Sequence, residues 1–88
     1  MEKRQTLSGF AIVIAERGWV FVGHCEIDEA WCVVKDARVV RRWGTTRGIG
    51  QLAESGPTGK TKLDDGGTIR IPLTSLVAAL DTEVSKWE

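Results

Sequence analysis

The stretch of residues 41–61 contains most of the side chains in this chain that could bind an anion. Its four cations are Arg41, Arg42, Arg47 and Lys60. A single acid, Glu54, accompanies them, together with four threonines and five of the ten glycines of the chain. Guanidinium and ammonium groups, hydroxyls and accessible backbone amides are the groups that hold phosphate in proteins. The stretch therefore predicts binding of an anion, and it indicates no particular reaction.

Arg41 and Arg42 are neighbours on a predicted strand, so their side chains point to opposite faces of the sheet. Arg41 shares its face with Trp43, and a guanidinium beside an indole can hold a phosphate or stack on a base. The alternative is that Arg41 pairs with an acid elsewhere in the chain and Trp43 lies in the core. In either case, the two arginines serve one site only with the help of a bulge or a second subunit.

The connection from this strand to a predicted helix consists of Gly44, Thr45, Thr46, Arg47 and Gly48. Free amides at the start of a helix, two hydroxyls and an arginine together form a favourable anion site. The alternative is an ordinary strand-to-helix cap, in which a threonine hydroxyl accepts hydrogen bonds from the first amides of the helix. Both interpretations stay open from the sequence.

Residues 56–61 contain a Gly-Lys-Thr sequence that superficially resembles a nucleotide-binding loop. The complete motif requires a glycine five positions before Gly59, where this chain has Glu54. The loop also lacks the preceding strand and the following helix of that motif, so we exclude a nucleoside triphosphatase of this class. Thr58 and Lys60 remain candidate phosphate contacts on a flexible lid.

The remaining reactive side chains do not have the spacing of a catalytic or metal centre. His24 and Cys25 are adjacent on a predicted strand and face opposite ways, so they do not form a nucleophilic pair. Cys25 and Cys32 lack the companions of a closed zinc site, which needs four ligands. Asp64 and Asp65 lie in a sequence typical of a turn. We therefore predict a protein that is not an enzyme and has no metal or cofactor.

The elements that position the candidate site are predicted to form a small antiparallel meander. Apolar and alternating runs predict four strands at residues 10–15, 19–24, 30–35 and 38–43. The third and fourth strands are separated by a tight turn at Asp36 and Ala37. Short links between successive strands are typical of antiparallel neighbours.

A short helix is predicted after the fourth strand, capped by Thr45 or Thr46 and running to about Glu54. Gly56 supplies a C-terminal stop, and Pro57 prevents continuation of the helix. The sequence therefore predicts a helix of only a few turns inside the candidate site.

The second half of the chain predicts a loop at residues 58–67, because its Asp-Asp-Gly-Gly sequence is typical of a turn. A fifth strand follows at residues 68–71 and ends at Pro72. The tail has apolar residues on one helical face: Leu73, Leu76, Val77, Leu80, Val84 and Trp87. A strand at residues 76–80 with a short helix after Thr82 is the alternative. Both give an α+β fold with about five strands and one or two short helices.

Length and composition predict a single domain spanning all 88 residues, with residues 1–9 as a flexible lead-in. The chain is 42% hydrophobic and 27% charged, and its formal net charge is zero, so no overall field attracts nucleic acid. Its apolar runs are too short for a signal sequence or a membrane span, which predicts a cytoplasmic protein. A small core and four tryptophans favour a homo-oligomer.

Residues 30–80 resemble a domain-of-unknown-function family of short phage and prophage proteins. The matching motifs are DAR-x-x-RRWGTT, G-x-x-x-LA-x-x-GP-T, T-x-LD and a strand ended by proline. The resemblance implies a phage or prophage origin, the cytoplasm of the bacterial host cell, and a role in counter-defence against host immunity. The family has no known activity, so no residue of this chain inherits a role from it.

We predict a non-enzymatic phage accessory protein that sequesters an anionic, nucleotide-like small molecule such as a host immune signal. The candidate ligand contacts are Arg41, Arg42, Trp43, Gly44, Thr45, Thr46, Arg47, Thr58 and Lys60. The alternative is a protein-binding inhibitor of a host defence complex, of the anti-CRISPR type. The mixture of glycine, threonine and arginine favours the small anion, because protein interfaces are richer in exposed aromatic residues. Binding of nucleic acid is disfavoured by the zero net charge.

Overall fold

The computed structural model describes residues 7–87 of the chain. The secondary-structure elements are β1 (Leu7–Ala15), β2 (Trp19–Ile27), β3 (Trp31–Arg42), α1 (Ile49–Ser55), β4 (Lys62–Pro72) and β5 (Leu76–Asp81). Short 3-10 turns occupy Glu16–Gly18, Leu73–Ser75 and Val84–Lys86. The predicted fold class, α+β with five antiparallel strands and one short helix, is confirmed. Of the predicted lead-in, residues 1–6 lie outside the described residues, and residues 7–9 begin β1.

The five strands form one sheet in the order β4-β3-β2-β1-β5, with every neighbouring pair antiparallel. The first four strands follow one another in a meander, but its members differ from the prediction, because the strands predicted at residues 30–35 and 38–43 correspond to β3 alone and the fourth strand is β4. Strand β5 pairs with β1 at the far edge. Pro72 and Leu76 lie on opposite edges of the sheet, yet four residue steps span at most about 14 Å. In a flat sheet these edges would be about 19 Å apart. The sheet is therefore strongly curled.

Apolar side chains cover both faces of this sheet. The inner cluster contains residues from all five strands, including Val13, Phe21, Cys32, Ile71 and Leu76. It is buried without a covering helix, because the curl of the sheet encloses it. The outer cluster contains Ile12, Val22, Val40, Leu52 and Trp87. Strand β1 is apolar at consecutive positions because alternate side chains enter the two clusters.

The C-terminal tail fastens α1 over the outer cluster. The hydroxyl of Thr82 donates a hydrogen bond of 2.7 Å to the carbonyl oxygen of Ala53, and it accepts one of 3.0 Å from Nε1 of Trp87. The ammonium of Lys86 donates to the carbonyl oxygen of Glu54 at 2.8 Å. These bonds satisfy carbonyl groups that the end of a helix leaves without partners. The position of the helix is therefore fixed from its C-terminal end.

The predicted turn at Asp36 and Ala37 is wrong, because β3 continues through these residues. Asp36 has a left-handed backbone conformation, with φ of 51°, and the strand register shifts between Val34 and Ala37. This geometry is that of a β-bulge, which bends a strand without ending it. The third and fourth predicted strands are therefore one strand.

The predicted loop at residues 58–67 is also partly wrong, since β4 begins at Lys62 and includes both aspartates and both glycines. Gly67 has φ of 69° and lies opposite Ala37 in the β3–β4 pair. The two sequences that predicted turns therefore face each other as irregularities in one antiparallel pair. Both irregularities bend this pair of strands, and neither reverses the direction of the chain.

The tail follows the strand interpretation, and a continuous helix is wrong. Strand β5 pairs with β1, and the Val84–Lys86 turn follows Thr82. The apolar residues at helical spacing divide between the clusters: Leu76 packs with the inner cluster, whereas Leu80 and Trp87 pack with the outer one. Within residues 7–87, no helix has the length and apolar composition to cross a membrane.

Candidate functional site

The candidate residues lie at the ends of the connection between β3 and β4, which also contains α1. Two threonine hydroxyls join these ends. Thr58 donates to the carbonyl oxygen of Gly44 at 2.7 Å, and Thr61 donates to that of Trp43 at 2.7 Å. Thr58 also accepts a hydrogen bond of 3.0 Å from the amide of Lys60. The connection is therefore closed where it leaves the sheet.

Gly44 allows the two backbones to approach each other. Its φ is 65°, a conformation that favours glycine, and a Cβ atom there would lie 2.4 Å from the carbonyl carbon of Lys60. No real side chain tolerates that distance from a backbone atom. Glycine at this position is thus a geometric requirement of the site.

A cleft of about 630 Å³ opens beside this closure. Its lining residues are Arg42, Gly44, Thr45, Thr46, Gly59, Lys60 and Lys62. Five of the predicted ligand contacts are among them, and Gly59 and Lys62 are additions that sequence reasoning missed. Lys62 begins β4 and lies opposite Arg42 in the β3–β4 pair. It was missed from the sequence because residues 58–67 were predicted as a loop, which has no register with a strand.

The other predicted contacts lie outside the cleft lining. The guanidinium of Arg41 pairs with Asp64, with Nε–Oδ2 and Nη2–Oδ1 distances of 2.8 and 3.4 Å. Nη2 of Arg47 lies 3.1 Å from Oε1 of Glu54. Both pairs are exposed to solvent. Trp43 is 42% exposed, so it is not a core residue.

The backbone amides predicted to bind an anion already have a protein partner. Oε1 of Gln51 accepts hydrogen bonds from the amides of Thr46 and Arg47 at 3.1 and 3.0 Å, and from the Thr46 hydroxyl at 3.2 Å. The amide of Gly48 donates to Oγ1 of Thr45 at 3.1 Å. The side chain of Gln51 thus occupies the position at which the sequence predicted an anion.

The predicted helix cap is wrong as well. Helix α1 begins at Ile49, and the residue that precedes it is Gly48, with φ of 82° and no side-chain hydrogen bond. Thr45 and Thr46 lie before the N-cap residue Gly48, so neither is the cap. Thr46 instead donates hydrogen bonds to Gln51. The side chains of Arg42, Lys60 and Lys62, and not the helix amides, are therefore the groups of the cleft that could bind an anion.

The surroundings of the histidine and the two cysteines indicate a role in packing. His24 is exposed and packs edge-on against Phe10, with ring centroids 5.1 Å apart. Cys25 and Cys32 are buried in the inner cluster, with 3.5 Å between their Sγ atoms. Burial, followed by the neighbouring Cys25, raises the pKa of Cys32 to about 12. Over residues 7–87, no three His, Cys, Asp or Glu side chains form a group that could hold a metal ion.

The fold and the cleft define a small α+β domain whose curled, five-stranded sheet has a basic cleft at one end. No known protein family, curated protein or solved structure matches the chain. Its function therefore has to be inferred from the geometry of its own residues.

Proposed function

We propose that this protein is a non-enzymatic binding protein that captures an anionic, nucleotide-like small molecule in the cleft. The observation that carries the proposal is the charge of the lining: Arg42, Lys60 and Lys62 contribute to it, and no carboxylate does. None of these three cations forms an ion pair within residues 7–87. Cations that share a cleft repel one another, and a bound anion removes that repulsion.

The polar groups beside the cations favour phosphate over a simple monovalent anion. Arg42 offers a planar fork of donors that matches two phosphate oxygens, and the lysines act as point charges. Oγ1 of Thr45 accepts from Gly48, so its hydroxyl hydrogen is available to a ligand. Several donors around a cleft of about 630 Å³ suit a ligand with more than one phosphate group.

The resemblance to short phage proteins gives this binding a biological setting. A protein that holds a signalling nucleotide of the host lowers its free concentration without any chemical step. We propose sequestration of such a signal as the counter-defence role, in the cytoplasm of the bacterial host and by a homo-oligomer. Occupancy of the cleft is the primary measurement, because every other part of the proposal depends on it.

Isothermal titration calorimetry with cyclic nucleotides and ADP-ribose derivatives tests the proposal. Arg42→Ala should weaken binding about ten- to a hundred-fold, the value of one charge-assisted hydrogen bond or two. Arg41→Ala is the matched control, because this adjacent arginine pairs with Asp64 outside the cleft. Its affinity should equal that of the parent. Binding of no compound to the parent, or equal losses in the two variants, would refute the proposal.

A further inference from the structure

Trp19 is an exposed aromatic residue with a fixed orientation. It is 54% exposed, at the start of β2, immediately after the Glu16–Gly18 turn. Its indole stacks on the ring of Phe21, with centroids 5.9 Å apart and planes 7° from parallel. Phe21 is buried in the inner cluster and supports the indole from beneath. The remaining indole surface is open to a partner.

A groove of about 330 Å³ runs between this aromatic pair and the end of β4. Its floor is apolar and includes Ala15, Ile69, Ile71 and Pro72. Trp19 lines this groove beside the buried ring of Phe21. An exposed indole next to an apolar groove with charged residues at its border is a feature of interaction surfaces.

The groove is bordered by two arginines and one acid. Arg17 lies in the β1–β2 turn, where its φ of 69° gives it a defined backbone conformation, and Arg70 lies on β4. Neither arginine has an ion-pair partner in the described part of the chain, and neither does Glu16. The border therefore has a net positive charge and favours a partner with carboxylate groups.

This groove is separate from the basic cleft. Lys62, at the start of β4, lines the cleft, whereas Pro72, at the end of the same strand, lines the groove. The two sets of lining residues have no member in common.

We propose that the groove binds an extended, acidic segment of a partner protein. An aromatic or proline ring of the segment stacks on Trp19, and a carboxylate pairs with Arg17 or Arg70. Tryptophan and arginine are the residue types that contribute most to protein interfaces, above all around a desolvated apolar centre. The segment is extended because β4 is a sheet edge, whose outer backbone groups can pair with an added strand.

Selection from a displayed library of random dodecapeptides tests this proposal. The library is selected on the parent protein and, in parallel, on Trp19→Ala. We expect enrichment on the parent of peptides that combine acidic residues with an aromatic residue or proline. The affinity of these peptides is measured by fluorescence polarisation. They should bind the Trp19→Ala variant and the double variant Arg17→Glu/Arg70→Glu at least about ten-fold more weakly than the parent.

Trp43→Ala is the matched control, since Trp43 is similarly exposed but lies in the β3–β4 connection and does not line the groove. It should retain the affinity of the parent, and circular dichroism should show all variants folded. Three results would overturn the proposal: no enrichment on the parent over Trp19→Ala, enrichment of basic peptides, or equal losses in Trp43→Ala. A sedimentation coefficient lowered by Trp19→Ala would also overturn it, because the occupant would then be a second copy of this chain.

Discussion

The hydroxyl of Thr58 donates a hydrogen bond of 2.7 Å to the carbonyl oxygen of Gly44, across the two ends of the β3–β4 connection. The two positions are fourteen apart in the sequence. Their contact sets the distance between Arg42, which precedes Gly44, and Lys60, which follows Thr58. A threonine predicted to contact the ligand thus instead holds together the residues that line the cleft.

Replacement of Thr58 by valine should lower the free energy of unfolding by about 1–2 kcal/mol. Valine keeps the shape of the side chain but leaves the Gly44 carbonyl and the Lys60 amide without their partner. Urea denaturation measures the loss. Thr74→Val is the control, because Thr74 is exposed in the Leu73–Ser75 turn. Equal denaturation midpoints for the two variants would contradict this role of Thr58.

Replacement of Gly44 by alanine should destabilise the protein by more than about 1 kcal/mol. Alanine is strained at a φ of 65°, and its Cβ atom would overlap the backbone of Lys60. Gly59→Ala is the matched control in the same connection, since a Cβ atom there has no neighbour within 4 Å. That variant should stay within about 0.5 kcal/mol of the parent. Thermal unfolding that ranks the variants in the opposite order would count against the close approach.

Replacement of Gln51 by methionine should expose the amides of Thr46 and Arg47 to hydrogen exchange. Methionine has a similar length but offers no oxygen acceptor, so three hydrogen bonds of the loop are lost. Gln51→Glu should preserve the protection, because a carboxylate oxygen accepts the same bonds. Amide exchange followed by nuclear magnetic resonance distinguishes the two. Unchanged exchange rates in Gln51→Met would show that another group protects these amides.

The buried thiols should make the protein less stable in alkaline solution. Burial raises the pKa of Cys32 from its ordinary value of 9.0 to about 12, and it raises the pKa of Cys25 in the same direction. Above pH 9 the unfolded chain therefore releases thiol protons that the folded chain retains. The stabilisation from Cys32 is complete below pH 9, and between pH 9 and about 12 it falls by about 1.4 kcal/mol per pH unit.

Urea denaturation at about pH 8 and about pH 10.5 measures this slope. Cys32→Ala removes one of the two thiols, so its stability should fall less steeply than that of the parent over the same interval. The comparison cancels the titration of lysines that both proteins share. Parallel slopes would mean that Cys32 does not retain its proton in the folded state.

Local patterns in the sequence were enough to predict the β1–β2 hairpin and the fold class. Residues 10–15 and 19–24, predicted as strands, lie within β1 and β2. Residues 10–15 and 19–22 are continuous apolar runs, and Gly18 in the short link has positive φ. Such information is local, because the period of the side chains and the turn residue both act within a few positions.

The two sequences that are typical of turns became parts of strands because of pairing between distant segments. Asp36 and Gly67 have the positive φ values typical of turns, yet each lies within a strand. The register of the β3–β4 pair shifts on both sides of the Ala37–Gly67 pair, so pairing between distant segments compensates for irregularities that would end an isolated strand. No property of either segment alone contains that information.

For the candidate site, the residue types were also predictable from the sequence, whereas the arrangement of the side chains was not. Residue types alone indicated a basic, glycine-rich anion site, because charge and hydrogen-bonding capacity belong to individual side chains. The set of cations that share the cleft depended on partners far away in sequence. Arg41 forms an ion pair with Asp64, whereas Arg42 lines the cleft with Lys60. The register of β4 against β3, which shifts between Val40 and Arg42, decided which arginine met an acid and which remained available to a ligand.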